Sequence, residues 1–368
     1  MYIGHITYDD IKNPWCGGGG AKRVFEVDKR IAKRHRIKVF TGKFPNSRDE
    51  IIDSVEFKRI GFGFNYIISR ITFSFFIPFY IMREKFDIIV NEFSAYSPSF
   101  FFSRRCKNVI AIHHLVGKSP IKKYKIMGLF PYFFEKIAGI FYRYIITVSP
   151  SVTEIIKKRY KEGKIYRLIY NGVSNELFSV NALEEDNYIA FLGRIDIYMK
   201  GLDTLFDAFS KIKNKDVKLK LAGSGKERDL QILKSLSERL KIGDRVEFLG
   251  RISDDEKKDF LGRSLFVVMP SRFEGWGISA IESSACAKAV IGTNIPGLKD
   301  AIIHNKTGIL VEPDRSDLLA REMERLLDNR EMKIRLGING RNWAKNFDWD
   351  KIAEEHEKFY LEVLKNNN

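Results

Sequence analysis

Short apolar runs of four to seven residues alternate along the chain with longer stretches whose apolar residues recur at helical spacing. This alternation is typical of parallel strands that are connected by helices. Each half of the chain contains six runs with the length and composition of buried strands. They are residues 2–7, 37–41, 87–91, 109–114, 144–149 and 165–169 in the first half, and residues 188–193, 217–223, 246–250, 265–271, 289–293 and 308–312 in the second.

The same order of strands and helices occurs in both halves, so the pattern predicts two doubly wound α/β domains. Residues 170–187 have turn-forming composition and little periodicity, and they join the two halves. We therefore predict an N-terminal domain over residues 1–172 and a C-terminal domain over residues 173–345. The last stretch, residues 346–368, has apolar residues at near-helical spacing and predicts a terminal amphipathic helix.

The length of 368 residues also favours two domains, because one hydrophobic core rarely organises so long a chain. Cys16, Cys106 and Cys286 lack the spacing of a disulfide framework or a zinc site, which fits a reducing cytosol. The N-terminus has the pattern of a first strand rather than of a signal peptide. The most apolar segment, residues 71–82, is shorter than the ~20 residues of a membrane-spanning helix. We expect a cytoplasmic protein that does not cross a membrane.

The net charge of +16 is confined to the first half of the chain. Residues 1–176 hold 31 Lys and Arg against 15 Asp and Glu, whereas the remainder holds 32 of each. In the first half, cations alternate with aromatic residues, as in residues 101–109 and 122–136. A basic, aromatic surface suits an anionic bilayer or a phosphorylated lipid. An ordinary solvated basic surface explains the same composition, and both interpretations stay open.

Four glycines, residues 17–20, follow the first predicted strand, and a helix is predicted to begin near Ala21. Glycines let the backbone turn sharply and expose N–H groups, so that an anion can lie at the helix N-terminus. The run lacks the GxGxxG spacing and the acidic residue of a dinucleotide site. A flexible loop is an equally good interpretation of this run alone.

Two further turns place polar residues at the carboxyl end of a predicted strand. Residues 191–209 place Gly193, Arg194 and Lys200 at the edge where open α/β sheets bind their ligands. Two cations at that edge suit a diphosphate. Residues 221–231 contain Gly-Ser-Gly, which permits the close approach of a base or a phosphate, although such turns are also common for steric reasons.

Residues 272–282 read RFEGWGISAIE and contain two glutamates, Glu274 and Glu282, eight positions apart. The first follows a buried strand, and the second lies in the early turns of a helix predicted over residues 278–287. Eight residues at helical rise span ~12 Å, beyond the roughly 5 Å and roughly 6.5 to 9.5 Å between the carboxyls of retaining and inverting hydrolases. The pair therefore favours the binding of sugar hydroxyls over hydrolysis.

Together these motifs resemble the signature of the family 4 retaining glycosyltransferases, in which two Rossmann-like domains face each other across a cleft (the GT-B fold). The resemblance covers the glycine loop followed by Ala-x-Arg-Val, the Asn171-Gly172 turn, Gly193-Arg194, Lys200-Gly201, Gly250, Met269-Pro270-Ser271, residues 272–302 and the Trp349 helix. It implies a UDP- or GDP-linked sugar as donor substrate, retention of the anomeric configuration, and no cofactor or required metal. It also implies that the terminal helix crosses back to pack on the first domain.

The resemblance further implies roles for residues at matching positions. Arg194 and Lys200 would hold the donor diphosphate, and Glu282 would hold the ribose hydroxyls. Glu274 would hold the transferred sugar, and His113 would face that sugar from the end of its strand. The implied catalytic set is His113, Arg194, Lys200 and Glu274. The implied donor-binding set is Gly18, Gly19, Gly20, Gly193, Arg194, Lys200, Gly223, Gly225, Arg251, Glu274, Gly275, Trp276, Gly277, Ile278 and Glu282.

We therefore predict a glycosyltransferase that moves a hexose or an N-acetylhexosamine to a glycan, a lipid-linked acceptor or another acceptor. The basic N-terminal domain would bind the acceptor and contact the inner face of an anionic membrane. Two alternatives stay open. One is a nucleotide-sugar epimerase, because fold alone does not fix function. The other is a nucleic-acid-binding protein, for which charge is the sole support and no specific nucleic acid is expected.

Overall fold

The structure is a computed structural model of the chain. It describes residues 1–96, 103, 105–115, 117, 125–160, 163–181 and 184–366, with the backbone alone at 126 and 127. The chain divides into two compact units. The first unit comprises Met1–Gly172 and Trp349–Asn368, and the second unit comprises Val173–Asp348. Each unit is built on one sheet with helices between its strands, as the alternating pattern predicted.

All of the predicted strands are confirmed, and their ends lie within two residues of the predicted ones. Two strands that the sequence did not predict, β3 and β4, lie at one edge of the first sheet. The strands are β1 (Tyr2–Ile6), β2 (Arg36–Gly42), β3 (Glu50–Ile52), β4 (Val55–Ile60), β5 (Ile88–Glu92), β6 (Lys107–Ile112), β7 (Tyr144–Thr147), β8 (Ile165–Leu168), β9 (Tyr188–Leu192), β10 (Lys218–Ala222), β11 (Val246–Gly250), β12 (Val267–Met269), β13 (Val290–Thr293) and β14 (Ile309–Val311).

Several helices begin at residues whose side chains cap free backbone N–H groups. Asn65 caps one helix, and Ser253 with Glu256 forms a reciprocal capping box at another. The helices in the described ranges are α1 (Gly19–Ile31), α2 (Tyr66–Ile81), α3 (Leu129–Ile137), α4 (Pro150–Arg159), α5 (Ile197–Lys200), α6 (Leu202–Ser210), α7 (Glu227–Arg239), α8 (Asp254–Arg263), α9 (Ile278–Ala285), α10 (Leu298–Ala301), α11 (Ser316–Asp328), α12 (Arg330–Ala344) and α13 (Trp349–Lys365).

The first sheet has the strand order β3-β4-β2-β1-β5-β6-β7-β8. Its pairings are parallel except for β3, which runs antiparallel to β4. Strand β1 lies between β2 and β5 in the sheet, so the winding direction reverses between β1 and β5. Open α/β sheets bind ligands at such a reversal, outside the carboxyl ends of the strands. In the first unit this edge includes the ends of β1, β5 and β6.

The terminal helix α13 belongs to the core of the first unit. It packs along α1 and buries Phe359, Tyr360 and Val363 among the apolar residues of that unit. At its start, Trp349 closes over Gly172, where an added Cβ would lie 2.4 Å from the indole. The predicted return of the terminal helix to the first domain is therefore present as a packed helix.

The second sheet is parallel throughout its pairings and has the order β11-β10-β9-β12-β13-β14. Its winding direction reverses between β9 and β12, so the loops after these two strands lie at the ligand-binding edge. The buried core of this unit includes Phe206, Phe266 and Leu336. The Gly193-Arg194 turn follows β9, and RFEGWGISAIE follows β12.

No helix within the described residues is both long enough and apolar enough to cross a bilayer. Of the two basic, aromatic stretches singled out in the sequence, residues 101, 102, 104 and 122–124 lie outside the described residues. The described part of the second stretch exposes the apolar side chains of Leu129, Phe130 and Phe133 on α3.

Candidate active site

Two glycine turns meet at the ligand-binding edge of the second unit. The Gly193 N–H donates to Ala222 O over 3.0 Å, and the Ile195 N–H donates to Ser224 O over 2.9 Å. A Cβ on Gly223, whose φ is +146°, would lie 1.8 Å from the Gly193 carbonyl oxygen. Because Gly223 has no side chain, the backbone of the Gly-Ser-Gly turn packs directly on the backbone at Gly193. This contact fixes the turn that carries Arg194. Gly225 pairs with Ile195 in the same way.

Lys200 lies beside this turn and pairs with Glu274. Lys200 ends α5, whose start is capped by the Asp196 carboxylate accepting the Met199 N–H over 2.9 Å. Its Nζ lies 2.5 Å from Glu274 Oε2, and its Cε lies 3.9 Å from the point that a Cβ on Gly193 would occupy. The two side chains keep 17% and 19% of their surface exposed. The fold thus brings Gly193, Lys200 and Glu274 to one accessible place.

Arg194 and Arg251 are both exposed at the ends of their strands. Arg194 follows β9 directly after Gly193, and Arg251 follows β11 directly after Gly250. A guanidinium presents a planar fork of donors that matches phosphate oxygens, so either position suits an anionic ligand. The structure therefore leaves both predicted cations accessible.

The loop that carries Glu274 is fixed by Arg272, which sequence reasoning did not single out. Its guanidinium donates to Asp203 at 2.9 and 2.8 Å and to Asp314 at 2.5 Å. It also donates to the Tyr198 carbonyl oxygen at 3.0 Å, which ties the loop to α5. Burial opposes the charge of Arg272, but hydrogen bonds to Asp203 and Asp314 raise its pKa above the ordinary value. The Arg272 guanidinium therefore holds the loop in place.

The middle of RFEGWGISAIE is buried rather than open. The Trp276 indole is 2% exposed and packs on Phe347 with ring centroids 4.9 Å apart. A contact between Trp276 and the nucleotide sugar would therefore come from the Trp276 backbone. The same holds for Gly275 and Gly277, which are also buried. Helix α9 begins at the predicted residue, Ile278, but ends two residues before the predicted end.

Glu282 lies on α9 and pairs with Lys257 on α8. Lys257 Nζ is 2.8 Å from Glu282 Oε1 and 2.7 Å from Asp254 Oδ1. Burial disfavours the charged ammonium, but the Glu282 and Asp254 carboxylates outweigh burial and raise the pKa of Lys257. Each glutamate of the motif therefore has its own lysine. Sequence reasoning missed Lys257 because a Lys-Lys pair on a helix has the pattern of ordinary surface.

His113 lies one residue beyond β6 in the first unit and contacts Glu92 at the end of β5. Glu92 also accepts from His5 Nε2 at 2.9 Å and from Arg23 at 2.8 Å. Burial alone would raise the pKa of Glu92, but the charges of Arg23 and His113 lower it well below the ordinary value. The carboxylate is therefore ionised and holds the His113 ring, which stays 20% exposed.

The Glu92 cluster continues through the buried core of the first unit. His5 Nδ1 lies 2.9 Å from Asp28. Burial by itself would lower the pKa of His5, but the carboxylates of Asp28 and Glu92 outweigh burial and raise that pKa to about 9. Arg23 donates to His356 Nε2 at 3.0 Å. Since Arg23 has no acceptor, His356 carries its proton on Nδ1 and donates to the Tyr360 hydroxyl at 3.0 Å. The terminal helix is thereby connected to His113.

The glycine loop leads into helix α1 close to the predicted position. The prediction placed the start near Ala21, and the helix begins two residues earlier, at Gly19, with Gly18 as the residue preceding the helix. The helix extends over the glycines because Ala21, Val24 and Val27 bury one face against the sheet. Gly18, Gly19 and Gly20 are exposed. Their N–H groups are the free donors of a helix N-terminus, where an anion is favoured.

Within the residues that the structure describes, no three or more His, Cys, Asp or Glu side chains are grouped as metal ligands. The expectation that the donor is bound without a metal stays a prediction.

Two α/β units, each built on one largely parallel sheet, are the architecture of a GT-B glycosyltransferase. The comparisons agree, because residues 17–177 match the model of "Glycosyltransferase Family 4" and residues 173–343 match that of "Glycosyl transferases group 1". An uncharacterized glycosyltransferase of Methanocaldococcus jannaschii is 32% identical over 291 residues, 77% of each chain. This chain belongs to the family 4 glycosyltransferases.

Solved structures share the whole fold at low identity. Sucrose-phosphate synthase of Thermosynechococcus elongatus superposes with a TM-score of 0.85 at 22% identity, and all of both chains is covered. HepE of Anabaena, in complex with UDP and glucose, superposes with a TM-score of 0.78 at 17% identity over 98% of this chain and 100% of that one. At these identities the two structures support the fold alone, and UDP and glucose are ligands of HepE.

Proposed function

We propose that this glycosyltransferase retains the anomeric configuration and transfers a hexose or an N-acetylhexosamine from a nucleotide-diphosphate sugar. The observation that carries the proposal is the Lys200–Glu274 pair at the accessible turn after β9, with Nζ and Oε2 2.5 Å apart. An ammonium has three donors and a carboxylate has about four acceptor sites, so each keeps capacity for a ligand while paired. One end of the pair then suits a phosphate and the other suits sugar hydroxyls.

The donor would be held at its sugar, its diphosphate and its nucleoside. Arg194 and Lys200 bind the diphosphate, and Glu274 accepts hydrogen bonds from the transferred sugar. Glu282 accepts from the ribose hydroxyls, and Lys257, 2.8 Å away, holds that carboxylate in place. The base lies near Gly223, Gly225 and Arg251.

Retention would follow from attack on the front face of the donor. The acceptor oxygen bonds to the anomeric carbon as the bond from that carbon to the phosphate oxygen breaks. The acceptor proton passes to the departing phosphate oxygen. Arg194 and Lys200 stabilise the negative charge that develops on the leaving diphosphate. His113, held by Glu92, donates a hydrogen bond to the sugar being transferred.

Donor binding is tested by thermal shift with UDP, GDP and their glucose, mannose and N-acetylglucosamine derivatives. Lys200→Ala and Glu282→Ala should each abolish most of the ligand-induced shift and lower transfer at least tenfold while leaving the circular dichroism spectrum unchanged. Lys306→Ala, an exposed lysine after α10, is the control and should behave as wild type. Unchanged transfer in both site variants would refute the site.

The stereochemistry is tested on the product by the proton coupling constant at the anomeric carbon. A product with the donor's configuration supports retention, and the opposite configuration overturns it. Incubation of the donor without acceptor separates the alternative activity, because a nucleotide-sugar epimerase yields an epimer under that condition.

We further propose that the acceptor is a lipid-linked glycan presented at the cytoplasmic face of a membrane. The excess of 31 cations over 15 anions in residues 1–176 supports this, since an anionic surface attracts such a unit. Cys16, Cys106 and Cys286 are free thiols, in keeping with a reducing compartment. Transfer to a polyprenyl-diphosphate glycan should exceed transfer to the same soluble glycan, and equal rates would refute the lipid requirement.

A further inference from the structure

Helix α2 of the first unit is apolar on two opposite faces. One face buries Ser69, Phe73, Ile77 and Ile81 against the sheet. The other face exposes Ile67, Ile71, Phe75 and Phe79 at intervals of four residues, with relative exposures of 68%, 63%, 64% and 49%. A helix that is apolar all round is normally buried all round. The outer face of α2 is therefore a surface that the described residues of this unit do not cover.

The exposed face continues into the loop before the helix. Phe62 lies 5.9 Å from Phe64 and 5.8 Å from Phe76, measured between ring centroids. Phe75 in turn lies 5.1 Å from Phe76 and 6.0 Å from Phe79. The aromatic contacts join the loop and helix into one patch, and we call it the apolar ridge: Phe62, Phe64, Ile67, Ile71, Phe75, Phe79 and Met82.

The ridge is held rigidly in place by the rest of the unit. The Asn65 side chain accepts the N–H groups of Ile67 and Ile68 at 3.1 and 3.0 Å, which fixes the start of the helix. Phe73 and Ile77, one turn apart on the inner face, are at most 1% exposed. The ridge is thus a preformed surface, and its burial by a partner would not require α2 to fold or to leave the sheet. Contiguous exposed patches of this kind mark interaction sites.

The charge around α2 selects the partner. Residues 66–81 contain no carboxylate, and their single charged residue, Arg70, stacks over Tyr8 and Tyr66 at 4.3 and 4.6 Å from the ring centroids. Arg83 and Lys85 follow the helix and are exposed. Two copies that met through this face about a twofold axis would oppose their own cations. An anionic lipid surface would neutralise them instead.

We propose that the apolar ridge inserts into the interface of an anionic bilayer, with Arg83 and Lys85 at the level of the lipid headgroups. The inner face of α2 is part of the core, so the helix lies in the membrane plane and does not cross it. The inference deepens the proposed function, because it names the surface that would bring the active site to a lipid-linked acceptor. Vesicle binding itself can be measured without any enzyme activity.

Flotation of the full chain with vesicles tests the proposal. Wild type should float with vesicles of phosphatidylcholine and phosphatidylglycerol at 70:30. Phe75→Ser combined with Phe79→Ser should reduce the bound fraction at least tenfold. The matched control is Ile232→Ser combined with Ile338→Ser, two exposed isoleucines of the second unit with 45% and 52% exposure, and it should stay within twofold of wild type. Thermal melts establish that each variant is folded.

The electrostatic part has its own variant. Arg83→Ser combined with Lys85→Ser should lower binding to the anionic vesicles severalfold, and 0.5 M salt should lower wild-type binding similarly. Insertion is read from Phe75→Trp, whose added fluorescence should be quenched by brominated acyl chains. Ile338→Trp should show no added quenching.

The proposal would be overturned by wild type that does not float with vesicles, by a Phe75→Ser/Phe79→Ser variant (the ridge variant) that binds vesicles as wild type does, or by a Phe75→Trp variant whose fluorescence stays unquenched. Concentration-dependent dimerisation that the ridge variant removes, without vesicle binding, would assign the surface to a second copy and also overturn it. If vesicles bind but no nucleotide sugar does, this inference stands and the proposed function fails. If nucleotide sugars bind and transfer occurs without vesicle binding, the proposed function stands and this inference fails.

Discussion

Lys257 Nζ lies 2.8 Å from Glu282 Oε1, although the two residues stand on separate helices, α8 and α9. Glu282 is 7% exposed, so a carboxylate without a partner would be costly to bury at this position. The lysine supplies the opposite charge, and Asp254 at 2.7 Å fixes the lysine from the first turn of its own helix. A carboxylate proposed to bind ribose is therefore held in place by a residue that no sequence motif marks.

Replacing Lys257 with Met should lower the free energy of unfolding by about 2 kcal/mol, because Glu282 loses a charged partner in a largely buried place. Nucleotide affinity should fall at least tenfold, since the carboxylate is no longer held. Urea unfolding measures the loss of stability. Isothermal titration with the nucleotide that the thermal-shift screen identifies measures the loss of affinity. Lys258→Met, at the neighbouring position, is the control. A Lys257 variant that matches this control in both measurements would contradict the role.

Replacing Glu92 with Gln should impair His113 as much as replacing His113 itself, because the Glu92 carboxylate holds that ring. Glu92→Gln and His113→Asn should each lower kcat/KM about a hundredfold, and the double variant should be no worse than either single variant. Steady-state kinetics of the three variants measure this. Additive losses would mean that Glu92 does not act through His113. Glu84→Gln is the control, since Glu84 pairs with Lys38 away from this cluster.

Stability should fall as the pH rises above neutrality because of His5. The groups that face its ring are Asp28 on α1 and Glu92 on β5, and Arg23 shares Glu92. The pKa of His5 is raised from 6.5 to about 9, so its contribution is complete below pH 6.5 and is lost as the pH passes through about 9. The loss is about 3 kcal/mol, at 1.36 kcal/mol for each pH unit.

Urea unfolding at several pH values between 6 and 10 measures this dependence on His5. His5→Gln keeps hydrogen-bonding capacity but does not titrate, so its stability should be nearly level over the same range. His304→Gln changes an exposed histidine and should keep the wild-type slope. Equal slopes in wild type and His5→Gln would contradict the assignment.

Replacing Gly223 with Ala should destabilise the second unit by about 4 kcal/mol. The new Cβ would lie 1.8 Å from the Gly193 carbonyl oxygen, so the turn that carries Arg194 must move. Gly250→Ala is the matched control, because Gly250 also has a positive φ, of +69°, but no atom lies within 4 Å of its Cβ position. That variant should cost about 1 kcal/mol, the conformational term alone. Equal losses in urea unfolding would refute the packing argument.

The buried strands were predictable because a short, continuous apolar run between turns fits few structures other than a buried strand. Strand β3 was not, since it has three residues and exposes 73% of Ile51 at the edge of the sheet. The start of α1 was predicted near Ala21, and the helix begins two residues earlier, at Gly19, although glycine has a low helix propensity. The burial of Val24 and Val27 in the tertiary structure outweighs that local preference.

The candidate site was only partly predictable, for a related reason. Arg194, Lys200 and Glu274 follow strands at the carboxyl ends of the sheet, and the order of elements alone places such residues together. Lys257, Arg272 and Glu92 were missed because their partners are distant in sequence. Glu92, for example, meets Arg23 from 69 positions away.

The sequence was sufficient to predict the two-domain α/β organisation, the parallel strands and the motifs that follow them, because these depend on local periodicity and composition. The folded structure was needed to show which charges pair, that the Gly-Ser-Gly turn packs on backbone, and that the described residues leave one face of the apolar helix α2 uncovered. Pairing and exposure depend on which surfaces the folded chain brings together. Periodicity along the sequence shows that a residue is apolar or charged, but it does not show what lies opposite.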